Sequence, residues 1–265
     1  MRFQKWQGAG NAYLVIEAPA VPLTAAAVRR ICHPDLGAGS DGILEILPSE
    51  RALARVRIFN PDGGTAEFSG NSSRIAVGYL ARRDGLERLA IETEKGIIDG
   101  SVDGRMVTID AGAASLSGAD HAPGIGTPPA PAYTFVNLGN PHCVIRRDDV
   151  DELDLATLGP PVEHHGWFPR RTNVEFYRPL GPRDIRMRVW ERGAGETLSS
   201  GSGSSAAAVA AVVAGDVASP VKVHTDGGQL TVEVADDLGV RLTGPVEPVL
   251  SGEFDPVFTD ALGRA

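Results

Sequence analysis

The feature that most constrains this chain is that its two halves repeat one another. The segment RVRIFN at 55–60 matches RMRVWE at 186–191, 131 residues further on. At the same offset Gly64 meets Gly195, Ser69-Gly70 meets Ser200-Gly201, Ser73 meets Ser204 and Ala76 meets Ala207. Upstream, Gly10-Asn11 pairs with Gly139-Asn140 and Val15-Ile16 with Val144-Ile145; downstream, IETEKG at 91–96 pairs with VHTDGG at 223–228. Matches kept in the same order imply two copies of one domain. The copies are expected at 1–118 and 133–265, with the Pro/Gly-rich stretch 119–132 as linker.

Each copy reads alike. An alternating strand leads through a Gly-rich loop and a Ser-Gly step into a helix, followed by short strands with turns at Asp103-Gly104, Asp226-Gly227 and Asp237–Gly239. The first helix is expected from Gly70 through IAVGYLARR, with Ile75, Tyr79 and Leu80 on one face and arginines in its last turn. The second, from Gly201 to Gly215, is apolar nearly all round and must be buried. The fold class is therefore α+β: two pseudo-symmetric, strand-rich domains, each with a central helix.

Composition narrows the function. A net charge of −9 over 265 residues argues against nucleic-acid or anionic-membrane partners. The N-terminal segment has no apolar run of signal-peptide length, and the longest apolar stretch is too short to span a bilayer, so a cytoplasmic protein is expected. Cys32 and Cys143 make neither a disulfide framework nor a metal-binding spacing, and no metal or cofactor is expected. No lysine follows either Gly-rich loop, which excludes a P-loop, and neither serine lies in a G-x-S-x-G elbow.

A Gly-Ser loop at a helix N-terminus is an anion site, because its first N–H groups lack internal partners. Two such loops related by pseudo-symmetry would grip a small carboxylate from both sides, with Ser69 and Ser200 on opposite faces of a carbon. That suits proton removal on one face and delivery on the other. Ser69 and Ser200 are equally good as plain N-caps, and both readings stand at this point.

The motifs QGAGNAY (7–13), GSDGI (39–43), RIFNPDGGTAEFSGNSSR (57–74), NLGNPHCVI (137–145), FPRRTNVEF (168–176) and RVWERGAGETLSSGSGSSAAAVAA (188–211) resemble the PLP-independent diaminopimelate epimerases, over nearly the whole chain. The resemblance implies two pseudo-symmetric domains with the active site in the cleft between them, and an enzyme that interconverts LL- and meso-diaminopimelate without a cofactor. It implies a small amino-acid substrate and allows a homodimer. Carried over by motif, the reacting α-carboxylate would sit on N–H groups around Gly70-Asn71 and Gly201-Ser202. Asn11, Asn60, Asn140, Asn173, Glu191 and Arg192 would hold the amino and carboxylate groups, and His142 would lie behind them. Glu191 and Arg192 suit a zwitterion, which needs an anion for ammonium and a bidentate cation for carboxylate.

Two departures from the family matter. Its acid and base are cysteines, which fall at Ser69 and Ser200 here, and Ala12 stands where the family commonly has Asp. A thiol with pKa of about 8.5 drops further at a helix N-terminus; a hydroxyl is a far weaker acid, and nothing adjacent in sequence activates it. Cys32 and Cys143 lie outside the loop-to-helix positions. The serines are open to three readings: a working hydroxyl pair, divergence to another amino acid or to binding alone, or targeted replacements that trap an inactive complex.

Overall fold

A computed structural model describes residues 1–124, 129–130 and 132–264. In chain order the strands and helices are β1 Arg2–Gly8, β2 Asn11–Glu17, α1 Ala25–Cys32, β3 Ile43–Leu47, β4 Ala54–Phe59, β5 Thr65–Ala66, α2 Gly70–Asp84, β6 Arg88–Thr93, β7 Gly96–Asp103 and β8 Met106–Ala113. They continue with β9 Thr134–Asn137, β10 Pro141–Arg146, α3 Leu155–Glu163, β11 Asn173–Gly181, β12 Asp184–Glu191, β13 Gly195–Thr197, α4 Gly201–Val213, β14 Val221–Thr225, β15 Gly228–Val234, β16 Gly239–Pro245, β17 Glu247–Glu253 and α5 Pro256–Leu262. No described helix is long and apolar enough to cross a membrane.

The chain forms two compact units, residues 1–109 with 245–265, and residues 110–244. In the first, β1 lies antiparallel to β2, β2 runs parallel to β3, β3 antiparallel to β4, β4 parallel to β6, and β6, β7 and β8 follow as antiparallel neighbours. In the second, β9, β10, β11, β12, β14, β15 and β16 repeat that series of parallel and antiparallel steps. Leu14 faces Ile43 in one register and Cys143 faces Val174 in the other, so the repeat seen in sequence is a repeat of topology. Parallel strands buried on both sides favour apolar side chains, and Ile43–Leu47 is apolar apart from Glu45, which pairs with Arg57 at 3.0 Å. The α+β class and the paired strand-rich architecture are as expected.

The helices start where the Ser-Gly steps place them. Ser69 and Ser200 are extended N-caps whose hydroxyls accept from Ser72 N at 3.4 Å and Gly203 N at 3.2 Å. Gly85 closes α2 at φ 68°, a left-handed cap that favours glycine. In α4, Ala206 through Ala211 are fully buried, as the all-apolar pattern requires. Small side chains let six strands of the unit approach this helix closely. Gly203 in its first turn has a stricter reason: a Cβ there would lie 2.9 Å from Glu175 Oε1 and 3.0 Å from Ser200 Cβ. The Gly203→Ala variant gains up to about 1 kcal/mol of helix propensity and loses about 1–3 kcal/mol to overpacking. The clash is expected to win, and a lower denaturant midpoint with unchanged slope checks it.

Three expectations need correcting. First, α2 buries more than the one face that carries Ile75, Tyr79 and Leu80: every residue from Gly70 to Ala81 is buried, and polar groups of its first turn bond within the helix start, Ser72 Oγ to Ser69 O and Arg74 to Gly70 O and Asn71. Second, 245–265 do not belong with the second copy. β17 pairs antiparallel with β1, and Phe254 and Leu262 complete an apolar cluster with Leu14, Ile16, Val28 and Ile31. Third, 119–132 is not where the units divide; the division falls inside β8. Residues 125–128 and 131 lie outside the described residues, but Asp120 is ion-paired with Arg170, and His121 stacks on Phe135 at 4.5 Å.

Candidate active site

In the first unit, β4 ends in a turn closed by Asn60 N donating to Gly64 O and Gly63 N to Asn60 O. β5 then delivers the chain to Ser69 and α2. Gly70 and Asn71 occupy the first turn, buried, where the aligned peptide dipoles favour an anion. Asn11 opens β2 and is half-buried; no hydrogen bond of the described residues joins it or Asn60 to the Ser69 turn. Where the family commonly has Asp, Ala12 instead has its N–H bonded to Asp41 Oδ2 at 2.7 Å.

In the second unit the predicted residues converge. Ser200 precedes α4 and is 4% exposed. Its hydroxyl is hydrogen-bonded to the Glu191 carboxyl at the end of β12, which also accepts from Thr197 Oγ1. Asn140 Nδ2 donates to Ser202 Oγ at 3.3 Å, and Asn140 Oδ1 meets His142 Nε2 at 3.0 Å. His142 Nδ1 contacts Glu175 Oε1 at 2.7 Å, with both residues fully buried. His142 thus fixes Asn140 from behind. Asn173 is held from both ends: its Nδ2 donates to Pro141 O, and its Oδ1 accepts from Arg192 N. Glu191 and Arg192 do not pair with each other; the Arg192 guanidinium donates to Arg170 O at 3.2 Å.

Burial raises the pKa of both Glu175 and Glu191, the latter opposed by its hydroxyl donors Thr197 and Ser200. Burial likewise raises Cys32 and pushes Cys143 well up, which leaves neither a ready nucleophile. Among the described residues no cluster of His, Cys, Asp and Glu is placed to hold a metal ion.

Sequence reasoning missed four residues. Glu175 and Thr197 lie in strands whose alternation marks burial but not partners. Arg74 sits within a helix that reads as amphipathic. Asp120 falls in the supposed linker, yet it grips Arg170, which lowers its pKa, and Arg170 carries the carbonyl that Arg192 bonds. The Asp120→Ala variant is therefore expected to raise the substrate KM about tenfold, worth about 1.4 kcal/mol, with kcat little changed in steady-state assays.

The fold is that of amino-acid racemases and epimerases. A probable proline racemase from Agrobacterium radiobacter superposes with TM-score 0.72 at 17% identity, covering 99% of this chain and 98% of that one. A hydroxyproline epimerase from Agrobacterium vitis gives TM-score 0.70 at 17% identity, covering 99% and 97%. Sequence places the chain more narrowly. The family model described as diaminopimelate epimerase matches residues 3–117 and 134–249. Diaminopimelate epimerases of Moorella thermoacetica and Rhodospirillum centenum are 41% and 40% identical, each over 96% of this chain and over 99% and 92% of theirs. The chain belongs to the diaminopimelate epimerase family.

Proposed function

We propose that this chain interconverts LL- and meso-diaminopimelate without PLP, by transferring the α-proton between Ser69 and Ser200 on opposite faces of the carbon. The substrate carboxylate rests on the N–H groups of Gly70-Asn71 and Gly201-Ser202 at the starts of α2 and α4. Asn11, Asn60, Asn140, Asn173, Glu191 and Arg192 hold the amino-acid head groups, and His142 backs Asn140. The reaction serves lysine and peptidoglycan synthesis in the cytoplasm, and the family resemblance allows a homodimer.

The observation that carries this reading is the hydrogen bond between Ser200 and Glu191, in a chain of this family. It supplies what the sequence lacked, a carboxylate that activates a hydroxyl. As the Cα–H bond breaks, its proton passes to Ser200 Oγ while the Ser200 proton passes to Glu191. The carbanion-like state is stabilised by the helix N-termini. Ser69 then gives its proton to the opposite face, and solvent resets both groups.

Proton NMR of LL-diaminopimelate in D₂O tests the reading. Loss of the α-proton signal with appearance of the meso isomer is expected. Tight binding without exchange would make the chain an amino-acid-binding protein, and exchange of a different amino acid alone would make it another racemase.

A further inference from the structure

Behind the first turn of α2 lies a cation without a counter-charge. Arg74 is fully buried, and no ion pair of the described residues includes it. Its Nη2 donates to Asn71 Oδ1 at 2.8 Å and its Nη1 to Gly70 O at 3.3 Å, while Nε has no hydrogen-bond partner. Nη2 lies so close under β1 that a Cβ on Gly8 would be 3.5 Å from it. Desolvation lowers its pKa to about 9, which leaves it charged near neutral pH. An unpaired buried charge is a large cost that an apolar side chain of similar volume avoids. Its retention in the core calls for a role other than stability.

The repeat isolates that role. The residue matching Arg74 in the second unit is Ser205, whose hydroxyl donates to Gly201 O at 3.0 Å, the carbonyl matching Gly70 O. There, in place of an arginine, two carboxyl groups, Glu175 and Glu191, lie against the loop and the start of α4, with His142 Nδ1 2.7 Å from Glu175. The equivalent of Glu191 in the first unit is Asn60, which cannot carry charge. Other charged groups around the Ser69 turn are engaged elsewhere: Asp41 with Ala12 N, Asp62 with Gly64 N, and Lys95 over the Phe68 ring at 4.1 Å, with Glu67 exposed. The Ser69 turn thus backs onto a buried guanidinium, whereas Ser200 backs onto a carboxyl group.

We propose that Arg74 is a positioning residue that orients Asn71 and holds the Ser69 turn at positive potential, making Ser69 the stronger acid of the two serines. This rests on the proton-transfer reading above, and it gives that reaction a built-in polarity. The Ser200–Glu191 pair accepts a proton readily, and Ser69 donates one readily, since its anion is stabilised by Arg74 and the helix dipole.

A single thiol reports the field without any substrate. In Ser69→Cys and Ser200→Cys variants, the rise of thiolate ultraviolet absorbance with pH, taken as a difference from the parent protein that carries only Cys32 and Cys143, gives each thiol pKa without a reagent having to reach it. The thiol at 69 is expected below the usual value of about 8.5 and that at 200 above it. Adding Arg74→Met to Ser69→Cys is expected to raise the first by about one unit, a tenfold loss of thiolate. Arg74→Lys, which keeps the charge but not the planar donor bonded to Asn71 Oδ1, should restore most of the depression, and KM should rise more than kcat falls. Equal or reversed thiol pKa values overturn the proposal, and that comparison leaves Arg74 untouched. So does a thiol at 69 unmoved by Arg74→Met in a variant with native circular dichroism. Failure of the epimerase reading shows elsewhere, as absence of diaminopimelate exchange even with both thiols restored.

Discussion

Replacing Ser69 and Ser200 together by cysteine is expected to accelerate α-proton exchange of diaminopimelate by about 10²–10⁴-fold, the range a well-matched general acid–base pair supplies. The argument is one of pKa matching. A thiol at the Ser69 cap starts near 8.5 and sits at the positive end of a helix, so a useful fraction is thiolate at neutral pH, while a thiol at 200 gives its proton to Glu191 far more readily than a hydroxyl does. A hydroxyl in the same place is almost never ionised, and relies on a neighbour to take its proton. The caps tolerate the exchange sterically, since cysteine keeps the Cβ and adds only the larger sulfur. Exchange rates measured by NMR in D₂O check it. A double variant no faster than the parent would mean that thiol acidity is not what the site lacks.

The Glu191→Gln variant should lose activity by about 10²-fold or more. The amide keeps the size of the side chain but cannot accept the proton relayed through Ser200. KM should rise as well if, as proposed, the same carboxylate holds the substrate ammonium. The pH profile separates the two effects. Burial raises the Glu191 pKa, so activity that needs its deprotonated form is lost as pH falls through a value above the ordinary carboxylate range, and is present above it. In Glu191→Gln that acidic limb should vanish from the residual kcat/KM. An unchanged limb would place the titrating group elsewhere, with Glu175 the first alternative.

Much of this was legible before any coordinates. The strands RVRIF and RMRVW became β4 and β12, and both helices began at the Ser-Gly steps. Local rules reach that far: a period of two, an N-cap hydroxyl, a glycine stop. The C-terminal strand escaped them, because pairing of β17 with β1 joins residues about 240 apart and nothing in Glu247–Glu253 names its partner. The all-round burial of α2 escaped as well. The sequence marks Gly70-Asn71 as an anion-binding helix start, but only tertiary structure shows Asn71, Ser72, Ser73 and Arg74 all buried. The site divided along the same line. Motifs named Ser200 and Glu191 separately, but their hydrogen bond depends on the turn into β13, which brings Thr197 and Ser200 back beside the end of β12.

The burial of both cysteines has a consequence for how such a protein weathers its surroundings. Cys32 is 4% exposed and Cys143 is fully enclosed, and burial holds both thiols protonated. Peroxide, nitrosating agents and soft electrophiles all seek an accessible thiolate. With Ser69 and Ser200 as its proposed acid and base, the site offers them none, and activity is expected to survive peroxide treatment that silences a thiol enzyme.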